Sequence, residues 1–405
     1  MKTYIPLLIL IALVTLYFHL NYSYIKDLGT NLRQESTLTV YIIGDFGQLK
    51  PYSNYTVLPC KQVAELMKNR SYTSPPSIIL TTGDNFYVNR EYVKLFSVIN
   101  SVFTDIFTGE NIVNVPWYLS YGNHDISNGR VLGDLLGEFY PNIHMPEGSW
   151  NMTKVMIGYK IDFSVLQPDI ICHKKSKNHI AEGECRSMFA DDSYSEVYNW
   201  LENHYKALDS DPEVLWRIVV LHYPIFSVST TGLDSENLKI YLLPLLRKFK
   251  VDLVLSGHNH NMQYFVSHHD KHAKYVKQPE RNECLATSAI TCGTKRVHCE
   301  FTNTTCENSN KSCENKISIE SSPGLEQYNK SVEFKKGQAL HQIVQGGGGS
   351  DLDAFCPNLE SPMADYRFGR VEYGYTELKI TKSALLIEFI STKTSDTIFK
   401  SSIVI

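Results

Sequence analysis

The stretch SIILTTGDNFY, residues 77–87, climbs through Ile78, Ile79 and Leu80, breaks at Gly83, and sets Asp84 three residues ahead of Tyr87. A short apolar run that stops at a glycine reads as a strand buried on both faces, with polar side chains at its carboxyl end. The pattern recurs. LTVYIIGDFG (38–47) passes through Gly44 to Asp45, and VPWYLSYGNHD (115–125) passes through Gly122 to Asn123, His124 and Asp125. WRIVVLHYP (216–224) ends around His222, and VDLVLSGHNH (251–260) ends on His258, Asn259 and His260. Helical periods fall between these runs, in CKQVAELMKNR (60–70), EYVKLFSVINSVFTDIF (91–107) and LKIYLLPLLRKF (238–249). Such alternation predicts an α/β fold with its sheet buried on both faces. After residue 340 the character changes to LHQIVQ (340–345), TELKITKSALLIEFIST (376–392) and TIFKSSIVI (397–405). These read as consecutive strands and predict a second, more antiparallel sheet that closes the fold.

The 405 residues are 43% hydrophobic and 20% charged, an ordinary globular composition able to bury a large core. The net charge of -4 carries no long Lys/Arg run, which argues against nucleic acid as a partner. The first 24 residues hold an apolar run from Tyr4 to Leu20 behind Lys2, an export segment. Its bulky residues after Leu16 weigh against cleavage, and its length of about 17 is near the lower limit of a membrane span, so a cleaved signal and an uncleaved anchor stand level. Seven N-x-S/T sequons, at Asn21, Asn54, Asn69, Asn151, Asn303, Asn310 and Asn329, predict N-glycans and a secretory product. Nine cysteines fit the same oxidising compartment, and the odd number leaves at least one thiol free or paired with another chain. Five of them, Cys284, Cys292, Cys299, Cys306 and Cys313, lie in a polar, aperiodic stretch. With no C-x-x-C pair there, residues 268–338 read as a disulfide-stapled, glycosylated insertion within one domain spanning 36–405. GGGGS (346–350) reads either as a linker or as backbone passing close to a site.

The chemistry falls at the strand ends. In an open α/β sheet the carboxyl ends of strands converge on one crevice, so residues distant in sequence meet there. Taken singly, a Gly-Asp is often a turn and a lone histidine a satisfied core residue. Five such motifs at five strand ends argue instead for a metal site. Carboxylates, imidazoles, an amide and a phenol suit iron, zinc or manganese, and they are too many for one ion.

GDFG, GDNFY, GNHD, VVLHYP and GHNH resemble, in order and spacing, the five motif blocks of the metallophosphoesterases (the calcineurin-like superfamily). Within that class they are most similar to the small, tartrate-resistant type of purple acid phosphatase. The resemblance covers roughly residues 38–265 and resumes in QGGGG and EYGYTELKI. It implies a four-layer αββα sandwich, two mixed β-sheets flanked by helices. It also implies a ferric ion held by Asp45, Tyr87 and His260, and a divalent ion (Fe, Zn or Mn) held by Asn123, His222 and His258, with Asp84 bridging. Where the wider class carries a histidine two positions after the first aspartate this chain has Gly47, and Tyr87 takes that place. The implied activity is an acid phosphatase acting on phosphorylated small molecules or phosphoproteins through a metal-bound hydroxide. His124 would orient phosphate or protonate the leaving oxygen, and Asp125 would hold the His124 ring.

Two departures bear on catalysis. A second family histidine is replaced by Thr231, with His268 and His269 as candidate substitutes, and the 268–338 insertion follows GHNH directly. The family's cleavable loop corresponds to residues 172–185, read here as a surface hairpin closed by a Cys172–Cys185 bridge. Two alternatives stand beside the phosphatase. One is a phosphodiesterase with the same metals. The other is a membrane-held scaffold with little activity, since the apicomplexan glideosome anchor resembles the same fold. The expected location is the secretory pathway: secreted, lysosomal or vacuolar, or at the cell surface.

Overall fold

A computed structural model describes residues 36–48, 59–87, 99–126, 131–167, 194–230, 235, 237–269, 291–292, 295–296, 332–355 and 363–405. The N-terminal segment, residues 172–185, Thr231 and nearly all of 270–331 lie outside the described residues. No helix among the described residues is long and apolar enough to cross a membrane.

The first sheet begins with β1 (Leu38–Ile43), which pairs in parallel with β2 (Ile78–Thr81). α1 (Pro59–Ser71) and the short α2 (Glu110–Val113) follow β1 and β2 in the chain. β3 (Trp117–Tyr118) and β4 (Ile143–His144) continue the parallel set, with α3 (Asn123–Ile126) and α4 (Val131–Phe139) between them. The second sheet starts from the antiparallel hairpin of β5 (Trp150–Met156) and β6 (Tyr159–Val165). After α5 (Tyr194–Leu208) come β7 (Val214–Val220), α6 (Leu243–Lys248), β8 (Leu253–Ser256) and β9 (Met262–His268). A small hairpin pairs β10 (Thr291–Cys292) with β11 (Lys295–Arg296). The chain closes with β12 (Val332–Lys335), β13 (Ala339–Gln345), β14 (Asp365–Arg370), β15 (Gly374–Ile380), β16 (Ala384–Ser391) and β17 (Asp396–Val404).

The C-terminal strands do not form the second sheet on their own, as the sequence suggested. β15 pairs antiparallel with β1, so the first sheet runs β12-β17-β16-β15-β1-β2-β3-β4. β13 inserts between β8 and β9, and the second sheet runs β14-β9-β13-β8-β7-β6-β5. Both sheets are therefore mixed. Apolar periodicity reports which faces a strand buries but not which strand it pairs with, and these pairings join residues far apart in the chain.

Alternate residues of the strands serve two interiors. Val40, Ile42, Leu80, Ile218, Leu255, Ile343 and Phe389 share one buried core between the sheets. Tyr41, Ile43 and Ile79 face outward against Val63, Ala64 and Met67 of α1. On the other side Val219, Val254 and Val344 pack with Leu201 and Tyr205 of α5 and Leu246 of α6. Burial on both faces is why these strands read as unbroken apolar runs. Cys60, at the start of α1, is a buried free thiol, and burial pushes its pKa up to about 11. That accounts for one unpaired cysteine of the odd set.

Candidate metal centre

The loops that leave β1, β2 and β8 hold unusual backbone. Asp45 (φ 56°), Asp84 (φ 51°) and His258 (φ 67°) all occupy the left-handed region. They are three of five non-glycine residues that do so among those described, which concentrates backbone strain at one place. Asp45 N donates to Gly83 O (3.0 Å), Gly47 N to Asp84 O and Tyr87 N to Gly47 O (both 3.4 Å), lacing the GDFG and GDNFY loops together. The lacing is so close that a Cβ on Gly47 would lie 2.0 Å from Asn85 O and 2.6 Å from Phe86 N. No side chain fits at 47, so the chain cannot present a histidine there.

The seven expected ligands converge as two groups joined by one carboxylate. In the first, Tyr87 OH lies 3.1 Å from His260 Nε2, which is 3.6 Å from Asp45 Oδ1. In the second, Asn123 Oδ1 lies 2.9 Å from His222 Nε2 and 3.2 Å from His258 Nδ1. Asp84 stands between them. Its Oδ2 is 3.4 Å from His222 Nε2, and ligand atoms of Asp45, Asp84 and His222 all lie within 4.8 Å of one another.

The donor set fits cations. His222 Nδ1 is 2.8 Å from Thr82 O and His260 Nδ1 is 2.7 Å from Asp351 O, so each ring donates outward and turns Nε2, with its lone pair, inward. His222 Nε2 faces two oxygen acceptors, Asn123 Oδ1 at 2.9 Å and Asp84 Oδ2 at 3.4 Å, an arrangement satisfied by a proton on Nε2 or by a cation in its place. The anions crowd in the same way. Burial and the Asp84 charge raise Tyr87 well above the usual phenol value, and burial raises Asp45 far above the carboxylate range, with Asp84 adding to the shift. Burial works against charge on His222, yet the Asp84 carboxylate carries its pKa up to about 9. Burial and the His222 charge push His258 down to about 3, leaving its imidazole neutral and available as a ligand. The protein has gathered negative charge and lone pairs that only positive charge completes.

His124 lies at the mouth, half-exposed, its ring 4.2 Å from that of Tyr87 between centroids and its Nε2 4.0 Å from Asp84 Oδ2. Asp125 does not take the expected part of holding that ring. Its Oδ2 accepts from Gly122 N (2.8 Å), Asn85 N (3.1 Å) and Asn85 Nδ2 (2.9 Å), and its Oδ1 from Phe86 N (2.9 Å). A carboxylate one residue from His124 but drawn into four N–H groups is a brace for the GDNFY loop. Burial, with Asp84 nearby, raises its pKa to about 7 against those donors. His268 is no substitute for Thr231 either. It pairs with Ala339 while Met262 pairs with Gln345 beside the site, so it stands about 20 Å away along the strand.

The glycine stretch is backbone at close quarters rather than a linker. A Cβ on Gly346 would meet Asn259 O at 2.0 Å and Asp45 Oδ2 at 3.0 Å. It leads into a clasp the sequence did not reveal. Asp353 Oδ2 accepts from His260 N (2.8 Å), Asp353 N donates to His260 O (3.0 Å), and Asp351 O takes the His260 ring proton. The Asp-Leu-Asp that follows GGGGS was the available signal. Asp353→Ala is expected to weaken metal retention roughly 10- to 100-fold with little change in melting temperature, as measured by metal analysis after dialysis.

The calcineurin-like phosphoesterase family model matches residues 38–262, the span that carries all seven candidate ligands. The chain belongs to that family. Its relatives include purple acid phosphatase 3 of Arabidopsis thaliana, 25% identical over 258 residues, covering 58% of this chain and 61% of that protein. Another is mouse tartrate-resistant acid phosphatase type 5, 23% identical over 228 residues, or 56% of this chain and 68% of the relative. The match thus spans less than two thirds of the plant phosphoesterase's length. Among solved structures, the Plasmodium protein GAP50, the anchor in the inner membrane complex, superposes with a TM-score of 0.56 at 15% identity, covering 90% of this chain and 88% of that one. A purple acid phosphatase from yellow lupin superposes with 0.54 at 16% identity, covering 92% and 54%. Both likenesses are of the phosphoesterase fold.

Proposed function

We propose that this chain is an acid phosphatase of the secretory pathway that hydrolyses phosphate monoesters with two metal ions. The observation that carries the proposal is the division of seven donors into two groups sharing Asp84. Asp45, Tyr87 and His260 would hold a ferric ion, Asn123, His222 and His258 a divalent iron, zinc or manganese, and Asp84 both. When bound, such a pair neutralises phosphoryl oxygens and acidifies a water molecule. The protein contributes the rest. Thr82 and Asp351 fix the histidine tautomers, Asp125 and Asp353 hold the ligand loops, and the His124 ring at the mouth orients phosphate and passes a proton to the leaving oxygen. Phosphorylated small molecules and phosphoproteins are the proposed substrate classes.

A pure anchor, the role of the Plasmodium protein, has no physical need for three left-handed residues and a buried cluster of anions. The test is to purify the full chain, determine its metals, and assay p-nitrophenyl phosphate and bis-p-nitrophenyl phosphate at acid pH. The expected result is two metal ions per chain and faster hydrolysis of the monoester. Chelation should abolish the activity and re-addition of iron with zinc or manganese should restore it. Faster diester hydrolysis would select the phosphodiesterase, and a metal-free, inactive chain would select the anchor.

A further inference from the structure

Among the described residues β5 ends the seven-stranded sheet, and one side of its backbone has no strand partner there. Open edges of this kind pair with other chains unless charge, proline or a bulge guards them. β5 has one such guard, a single inward-pointing charge, and none on its outer face. It contains no proline, and its register with β6 runs unbroken from Trp150 to Met156. Its one charge, Lys154, turns inward, where Nζ donates to Tyr118 OH at 3.0 Å and lies 4.6 Å from the centre of that ring. The outer face carries Asn151, Thr153 and Val155, alternating with Met152 and Met156, which pack on the core between the sheets. Val155 is 60% exposed and Ile157, just beyond the strand, 53%.

Asn151-Met152-Thr153 is a sequon whose asparagine and threonine are both exposed on that face. The other sequon among the described residues, Asn69-Arg70-Ser71, differs. Ser71 is buried and its hydroxyl donates to Lys68 O at 2.7 Å. We infer that Asn151 carries an N-linked glycan whose role is to mask the open edge of the seven-stranded sheet and the apolar pair at its end. From Asn151 to Val155 is about 13 Å along the strand, a span that a branched oligosaccharide covers while adding hydrated bulk. The linkage forms between the Asn151 amide nitrogen and the anomeric carbon of a lipid-diphosphate-linked oligosaccharide. The carbon–oxygen bond to the diphosphate breaks, and one amide proton is lost to the medium.

The inference rests on the export reading, and the test separates the two. The full chain, with its own N-terminus, is produced in a glycosylating secretory host and its glycopeptides are mapped by mass spectrometry. Sedimentation then compares wild type with Asn151→Gln and with Thr153→Ala. Both variants should lose the glycan and show about a tenfold or greater rise in self-association. Adding Val155→Lys and Ile157→Lys to Asn151→Gln should return self-association to the wild-type level, which a misfolded variant would not do. Glycans at other sequons with Asn151 bare would overturn the inference and leave export standing. Glycosylated wild type with an Asn151→Gln variant that does not self-associate would overturn the masking role. A chain bare at every sequon would sink both.

Discussion

Asp84→Asn is expected to lower kcat for p-nitrophenyl phosphate by at least about 10^3-fold while the protein stays folded. The amide is the informative replacement. Asparagine tolerates the left-handed backbone at φ 51° better than alanine does, and its oxygen can still accept from His124 N, now 2.9 Å from Asp84 Oδ1. What it cannot do is supply two anionic oxygens between the Asp45 and His222 sides of the cluster. The variant thus separates the architectural role of the residue from its charge. Circular dichroism and the melting temperature should stay close to wild type, while metal content falls toward one ion per chain or fewer. An Asp84→Asn protein within tenfold of wild-type kcat would mean that the two donor groups do not share this carboxylate, and the binuclear proposal would fall.

The apolar runs whose ends carry the seven candidate ligands were legible, and in the structure those ends meet at one rim. The sequence does not say how the rim is held. Asp353 lies far from His260 in the chain and clasps it only because β13 inserts beside β9, a pairing that periodicity cannot report. Asp125 adjoins His124 in sequence, which suggested a side-chain pair, but a short helical turn at Asn123–Ile126 sends its carboxylate into the N–H groups of Asn85 and Phe86. The same limit explains the sheets. Every C-terminal run from β15 onward reads as a strand, yet nothing in its composition names β1 as the neighbour of β15.

Tyr87→Phe is expected to remove the visible absorption of the iron-loaded protein and to weaken iron retention by more than about tenfold, since even the loss of a supporting group costs that much. The change is confined to one oxygen. The ring can still lie against His124, at 4.2 Å between centroids, so the loop keeps its packing and any loss is assigned to the phenol. A second variant asks whether the choice of ligand is one of side chain or of backbone. Introducing Gly47→His into Tyr87→Phe would replace the lost donor with the imidazole found in the wider class. It is not expected to restore iron, because any Cβ at 47 falls within 2.0 Å of Asn85 O and the GDFG and GDNFY loops would have to part. Colour surviving in Tyr87→Phe would move the charge-transfer ligand elsewhere, and iron recovered by Gly47→His would show that the lacing yields. The expected failure of both would place the preference for a phenolate in the hydrogen bonds from Asp45 N to Gly83 O and from Tyr87 N to Gly47 O, which bring the two loops too close for a side chain at 47.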